Sequence, residues 1–326
     1  MWASQDAPSL GPVWHGLGNL GVRIFFTLSG FLITWLLLDE HKRNAHISLR
    51  AFYVRRFFRI FPVYYIYIGV LAVFQLAGLY ADAGTTWFGS LTFTRNIIGQ
   101  GDSATGHLWS LAVEEQFYLV WPTLLVMLSL PERQRMACMV LGIVIVSAII
   151  TRPITCHDAG LTCRILLHPN SALRYADCLA IGSLGAFLRS NWRPPSARIA
   201  QMIAPGAALA LAVSSLFGPA LDPWKETILI DAQAWLTIVA MISSAELERG
   251  LWFALLNSRP VVFIGVLSYS LYIWHLIFLR NYVGPEFPLG VFGDWKIWWL
   301  AAIIIATLSY YALERPILNL AKHWKR

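Results

Sequence analysis

The sequence predicts an all-α, polytopic helical membrane protein with about nine to ten transmembrane segments. Composition is the first observation behind this. Of 326 residues, 57% are hydrophobic and only 13% are charged, against about a quarter charged in soluble domains. Mean hydropathy is +0.57. The second observation is that apolar runs of membrane-crossing length recur along the whole chain. The third is that no gap between them leaves room for a separate soluble domain. With 25 Lys/Arg and 18 Asp/Glu, the polar surface of a soluble enzyme of this size cannot be built. A disordered chain and a disulfide-built secreted domain are excluded on the same grounds. The net charge of +7 reads as Lys and Arg collected on cytoplasmic loops rather than as a nucleic-acid footprint. The lipid bilayer is the expected partner, and nucleic acid is not.

A spanning helix needs roughly 20 mostly apolar residues. In chain order the runs are 22–38, 57–79, 110–130, 136–150, 172–189, 199–217, 227–245, 259–281 and 294–314. Residues 1–21 read as a polar N-terminal tail, 22–317 as the membrane domain and 318–326 as a basic cytoplasmic tail. Thr86–Ile98 is apolar but short, and it holds Arg95 and Asn96. It reads as re-entrant or interfacial, with a tilted crossing as the alternative.

Lys/Arg bias sets the orientation. The stretch 39–59 carries Lys42, Arg43, Arg50, Arg55, Arg56 and Arg59 and is expected inside. Alternation of nine spans then places Arg133, Arg135, Arg189, Arg193, Arg198, Arg249, Arg259 and the basic C-terminus inside as well. The N-terminus falls outside. That arrangement would be more natural if one more helix preceded Met1.

No internal repeat and no pair of matched halves with broken helices stands out, which disfavours a transporter. Cys138 and Cys178 lie within spans and read as packing residues. Cys156 and Cys163 share the expected outside loop 151–171, where a disulfide is permitted. Cys156, His157, Cys163 and His168 match no standard zinc spacing, so no metal site is expected.

Ionisable groups within spans are costly and mark candidate functional sites. They are Glu114, Glu115, Arg174, Asp177, Asp231 and His275, with His107 and Ser110 at the outer mouth of span 110–130. At about 1.5 Å per residue, these positions share one depth in the outer part of the membrane. Two readings of Arg174 and Asp177 stay open. At i and i+3 they either neutralise each other or join the polar cluster. On the inner side, Arg56 and Arg59 share a helix face. They serve either as a positive-inside anchor or as a bidentate phosphate contact.

Taken together, several segments resemble the integral-membrane acyltransferase family 3, bacterial O-acyltransferases of surface polysaccharides, lipopolysaccharide and related acceptors. The residues are Gly21 to Thr34 (GVRIFFTLSGFLIT), Phe52 to Pro62 (FYVRRFFRIFP) and His107 to Tyr118 (HLWSLAVEEQFY). Arg174 to Asp177 (RYAD), Leu267 to His275 (LSYSLYIWH) and Glu314 to Pro316 (ERP) follow in family order. The resemblance implies a multi-pass protein of the inner (cytoplasmic) membrane with a cytoplasmic C-terminus. It implies transfer of an acyl group, usually acetyl, from a CoA donor to a hydroxyl of a saccharide or lipid-linked glycan. Acyl-CoA is then a cosubstrate, and no bound cofactor is expected. It also makes Arg56 and Arg59 donor-binding residues. The family begins with a helix carrying an Arg and, about ten residues on, a His taken as the catalytic base. That helix does not precede the matching residues here, and His15 is not assigned its role. Arg23 stands where many members carry Asp.

O-acylation needs the acceptor hydroxyl deprotonated as it attacks the thioester. A neutral imidazole suits this, and the histidines at the right depth are His107 and His275. Glu114, at i+4 from Ser110 and i+7 from His107, can orient an imidazole or bind the acceptor. Ser110 could carry an acyl group only with a base of its own. The expected catalytic set is therefore Glu114, His107, Ser110 and His275, with Arg174, Asp177 and Glu115 supporting it. The alternatives are a transporter or flippase of a saccharide or small solute, and an inactive homologue lacking the base helix.

Overall fold

A computed structural model gives the fold and describes residues 11–99, 103–128, 134–154, 165, 168, 170–191, 196–216, 223–279, 289 and 297–323. Among the described residues there is no strand. Helix α1 spans Gly11–Asn44, starting eleven residues before the apolar run at 22. Pro12 falls in its first turn, where a missing N–H costs nothing. His41, Lys42 and Arg43 close its last turn, the favourable end of the helix dipole for cations. Helix α2 (Leu49–Leu76) is capped by the Ser48 hydroxyl, which accepts from the Ala51 amide. There follow α3 (Gly84–Leu91), α4 (Leu108–Leu128), α5 (Gln134–Thr151), α6 (Ala172–Asn191), α7 (Ala197–Ser214), α8 (Pro223–Ala245) and α9 (Leu251–Leu256). The chain continues with α10 (Arg259–Trp274), a 3₁₀ turn (His275–Phe278), α11 (Trp298–Ser309), a π turn (Tyr310–Glu314) and α12 (Arg315–His323).

Among the described residues, seven helical stretches are long and apolar enough to cross a membrane, against the nine to ten expected. The expected spans 172–189 and 199–217 are helices too, but they fall outside that seven. Helix α6 holds Arg174, Asp177 and Arg189 within 20 residues, and the apolar part of α7, Arg198–Ser214, is shorter. The apolar segment after residue 84 forms only the eight-residue α3. Its rise of about 12 Å is well short of a bilayer core.

The helices divide into two compact units, and the division falls within α4. One unit comprises Met1–Ile47 and Glu114–Asn257, the other Ser48–Val113 and Ser258–Arg326. In the first, α1 packs closely on α6 because glycines face backbone on both sides. A Cβ on Gly30 would lie 2.0 Å from the Leu179 carbonyl oxygen, and one on Gly182 2.1 Å from that of Thr27. Small residues of this kind let helix backbones approach where lipid supplies no hydrophobic drive. The Trp121 indole N–H donates to Thr34 at 2.8 Å and ties α4 to the same face.

In the second unit, α2 buries Ile60, Val63, Tyr64, Tyr67, Ile68 and Leu71, one face at helical spacing. The hydroxyls of Tyr64 and Tyr67 donate to the carbonyls of Ser90 and Ala104, both at 2.7 Å. Outward faces are apolar. Leu28, Leu32 and Leu36 on α1 are exposed, as are Met139, Ile143, Val146 and Ile150 on α5. Stripes of this length are stable when covered by lipid.

Candidate active site

The second unit brings together His107, Ser110 and His275, three of the expected residues. His107 immediately precedes α4, and His275 opens the 3₁₀ turn after α10. Their rings lie 5.1 Å apart. The loop before His107 is clamped by Arg95, which is only 2% exposed. Its guanidinium donates to Ser103, Thr105 and the Gly99 carbonyl.

The hydrogen bonds assign the tautomers. His107 Nε2 lies 3.1 Å from the Ile273 carbonyl oxygen, which can only accept, so Nε2 carries the hydrogen. His107 Nδ1 is then the basic nitrogen. It is buried and has no hydrogen-bond partner among the described residues. His275 has the opposite tautomer. Its Nδ1 lies 2.8 Å from the Tyr272 carbonyl oxygen, leaving the lone pair on Nε2. Burial, followed by the neighbouring His275, pushes the His107 pKa well below its ordinary value. The carbonyls of Ile273 and Ala104 pull the other way without prevailing, so the ring is neutral at pH 7.

Tyr272 links these groups and was not singled out from the sequence. Its hydroxyl donates to the His107 carbonyl at 2.8 Å and pairs with the Ser110 hydroxyl. Its ring lies 5.3 Å from His107 and 5.7 Å from His275. The available signal was position, since Tyr272 sits one helical turn before His275. The Ser110 hydroxyl is held by the His107 carbonyl and by Tyr272, neither of which is a base.

The remaining expected residues lie elsewhere. Glu114 belongs to the first unit, where it is 4% exposed and accepts from Ser29 and Tyr118. Glu115, one residue on, is half-buried. Asp177 pairs with Arg152, which also lies 3.6 Å from Asp231. The Arg174 guanidinium donates to the Arg152 carbonyl, and Arg152 donates to that of Arg174 at 2.9 Å. Arg152, rather than Arg174 alone, is thus the cation that compensates Asp177. It was passed over in the sequence because it stands just past an apolar run. Arg23 donates to Gln233 at 2.8 Å and to Glu226 at 3.3 Å. In the second unit, Arg56 is half-buried and Arg59 exposed on α2, and buried Glu314 accepts from Ser270. Cys156, His157 and Cys163 lie outside the described residues. Cys138 and Cys178 are free thiols.

Fold and site together define an integral-membrane helical protein whose buried interior carries neutral imidazoles, hydroxyls and compensated charges suited to proton transfer. The chain belongs to the acyltransferase family, since the profile described as "Acyltransferase domain" matches residues 1–315. It is 27% identical over 333 residues to "Peptidoglycan O-acetyltransferase OatA" of Listeria monocytogenes, covering 93% of this chain and 52% of that protein. It is 29% identical over 327 residues to "Putative peptidoglycan O-acetyltransferase YrhL" of Bacillus subtilis, covering 93% and 51%. A "Putative O-acetyltransferase" of Staphylococcus aureus strain COL is 29% identical over 340 residues, covering 93% and 53%. The chain spans about half the length of these relatives. No solved structure matches it.

Proposed function

We propose that this chain moves an acetyl group from acetyl-CoA, bound on the cytoplasmic side, to a saccharide hydroxyl of the cell-wall glycan. The observation that carries this reading is the pair of imidazoles with opposite tautomers, 5.1 Å apart and packed about Tyr272. His275 is the general base. Its Nδ1–H is held by a backbone carbonyl, its Nε2 has the lone pair, and its ring is less buried than that of His107. The acceptor hydroxyl gives its proton to Nε2 as its oxygen attacks the thioester carbonyl, and the CoA thiolate leaves. His107 binds and orients the acceptor. Arg56 and Arg59 contact the donor phosphates, with arginine forks suited to them. Ser110 holds Tyr272 in place and carries no acyl group, because neither of its partners can take its proton. Glu114 contributes a buried charge held by Ser29 and Tyr118. The names of the relatives support peptidoglycan as the acceptor class. The protein is a multi-pass protein of the cytoplasmic membrane with its C-terminus inside.

Membranes containing the chain, given labelled acetyl-CoA and peptidoglycan glycan, test this directly. Label should appear on the glycan as an alkali-labile ester. Glu114→Gln keeps shape and removes charge, and it should cost tenfold or more in transfer, while Glu115→Gln costs less. Arg56→Ala and Arg59→Ala should raise the donor KM in a salt-sensitive way. No label on the glycan would remove the reading, and full turnover by Glu114→Gln would remove Glu114 from it.

A further inference from the structure

Buried positions along the last helix run Ala302, Ala306, Ser309 and then Glu314. The first two steps, of four and three residues, keep to one face of an α-helix. The third step is five residues, which in an α-helix would turn Glu314 about 140° from Ser309. The π turn over Tyr310–Glu314 absorbs the extra residue, and the Arg315 amide bonds five residues back to the Tyr310 carbonyl. Turns of this kind are rare and recur at functional sites. The residue it brings inward is an acid, 6% exposed, and a carboxylate in a membrane helix is costly unless something holds it.

Two hydrogen bonds fix where Glu314 sits within the second unit. Its carboxylate accepts from the Ser270 hydroxyl on α10, which is fully buried. The residue before that serine, Tyr269, donates to the Ile60 carbonyl on α2 at 2.6 Å. Glu314, Ser270 and the Arg59–Ile60 turn of α2 therefore stand at one level, and α2 packs on both the π turn and α12. Among the described residues, Arg59 is the cation whose charge acts on the Glu314 carboxylate. Arg315, next in sequence to Glu314, lies instead over the Tyr311 ring at 5.7 Å. A guanidinium has five N–H groups. One edge can meet a carboxylate while another meets a phosphate. Arg59 is exposed, and a long exposed side chain loses rotamer freedom when it binds. A fixed counter-ion removes part of that cost beforehand.

We propose that Glu314 is a positioning residue for the acyl donor: from its place on the π turn it holds the Arg59 guanidinium so that the other edge of the fork faces a donor phosphate. This rests on the reading of Arg59 as a donor contact. The opposite case has the opposite sign. A carboxylate that did not hold Arg59 would only repel a phosphate, and its removal would tighten donor binding.

The test is equilibrium binding of coenzyme A to the full chain in lipid nanodiscs. Glu314→Gln keeps the shape and can still accept from Ser270. It should weaken binding about three- to fivefold, the range of a partly exposed ion pair. In membranes it should raise the acetyl-CoA KM by the same factor at unchanged kcat. Arg59→Ala should weaken binding by about tenfold or more, and adding Glu314→Gln to it should cost nothing further. A residue needed only for folding would instead lower kcat, or add its own loss to that of Arg59→Ala. Ser270→Ala leaves both charges in place and releases the carboxylate. It should weaken binding about twofold, and it does not require Glu314→Gln to fold. Equal or tighter binding by Glu314→Gln, equal binding by Ser270→Ala, or additive losses in the double variant would overturn the proposal. If Arg59→Ala binds coenzyme A normally, the donor reading of Arg59 fails and the proposal fails with it. If Arg59→Ala binds weakly while Glu314→Gln binds normally, the proposal alone fails.

Discussion

In the first unit, Arg152 faces Asp177 and Asp231, Arg23 faces Glu226, and Arg189 faces Glu246. In the second, two imidazoles, a tyrosine hydroxyl and an indole lie close together. Both interiors are polar and both are buried. They differ in what is gathered in them: several ion pairs in the first, and two imidazoles with a tyrosine between them in the second. A buried charge is costly unless counter-charges or hydrogen bonds hold it. A neutral imidazole keeps a lone pair that can take a proton. On the proposed reading, the ion network serves stability and the imidazole cluster the reaction.

Removing the central cation of the ion network is the harshest way to test that division. Arg152→Leu leaves Asp177 and Asp231 buried without it, and should destabilise the protein by about 3–5 kcal/mol, read as a drop in thermal unfolding temperature in detergent. Adding Asp177→Asn should recover part of the loss. A mild effect of Arg152→Leu, with no recovery, would mean the network is solvated and the contrast between the units false.

Much of this was legible in the sequence. Among the described residues the apolar runs coincide with the long helices, because lipid demands a minimum apolar length, although seven rather than nine are long and apolar enough to cross a membrane. The motif HLWS and the histidine of LYIWH singled out His107, Ser110 and His275 as candidates, because ionisable groups in apolar runs are few, and the structure places the three close together. What could not be read was pairing. Arg152 meets Asp177 across 25 residues, and Ser29 meets Glu114 across 85. Helical periodicity relates positions three and four apart within one helix and says nothing about which helices touch. The start of α1 was missed because residues 11–21 are polar enough to read as a tail, yet Pro12 and the residues after it tolerate a helix.

Packing offers a second, smaller break. Gly30→Ala places a Cβ against the Leu179 backbone, which cannot rotate away, and should cost about 1–3 kcal/mol. Gly142→Ala meets nothing within 4 Å and should be neutral or stabilising by up to about 1 kcal/mol. Equal losses at both positions would show that the α1–α6 approach has no special demand for glycine.

The smallest effect sharpens the contrast through pH. Burial lowers the His107 pKa in the folded protein, while the unfolded chain titrates near its ordinary value of about 6.5. Below that pH the unfolded state takes a proton that the folded state refuses. The stability is fully present above about 6.5 and falls as pH drops, by at most about 1.4 kcal/mol per pH unit. Melting curves between pH 7.5 and 5 should therefore fall more steeply for the unsubstituted chain than for His107→Gln. Parallel curves would mean that His107 is not buried neutral.

The central claim is that the imidazole cluster carries out acyl transfer, and His275→Gln tests it most directly. Glutamine fills the place of the ring and leaves the first unit untouched, so protein level and melting temperature should stay close to those of the unsubstituted chain. In membranes given labelled acetyl-CoA and peptidoglycan glycan, transfer should fall by about 10²–10⁴-fold, the usual worth of a positioned base. The donor KM should be unchanged, because Arg56 and Arg59 are intact. Turnover near that of the unsubstituted chain, from a His275→Gln protein that is folded and in the membrane, would contradict the account.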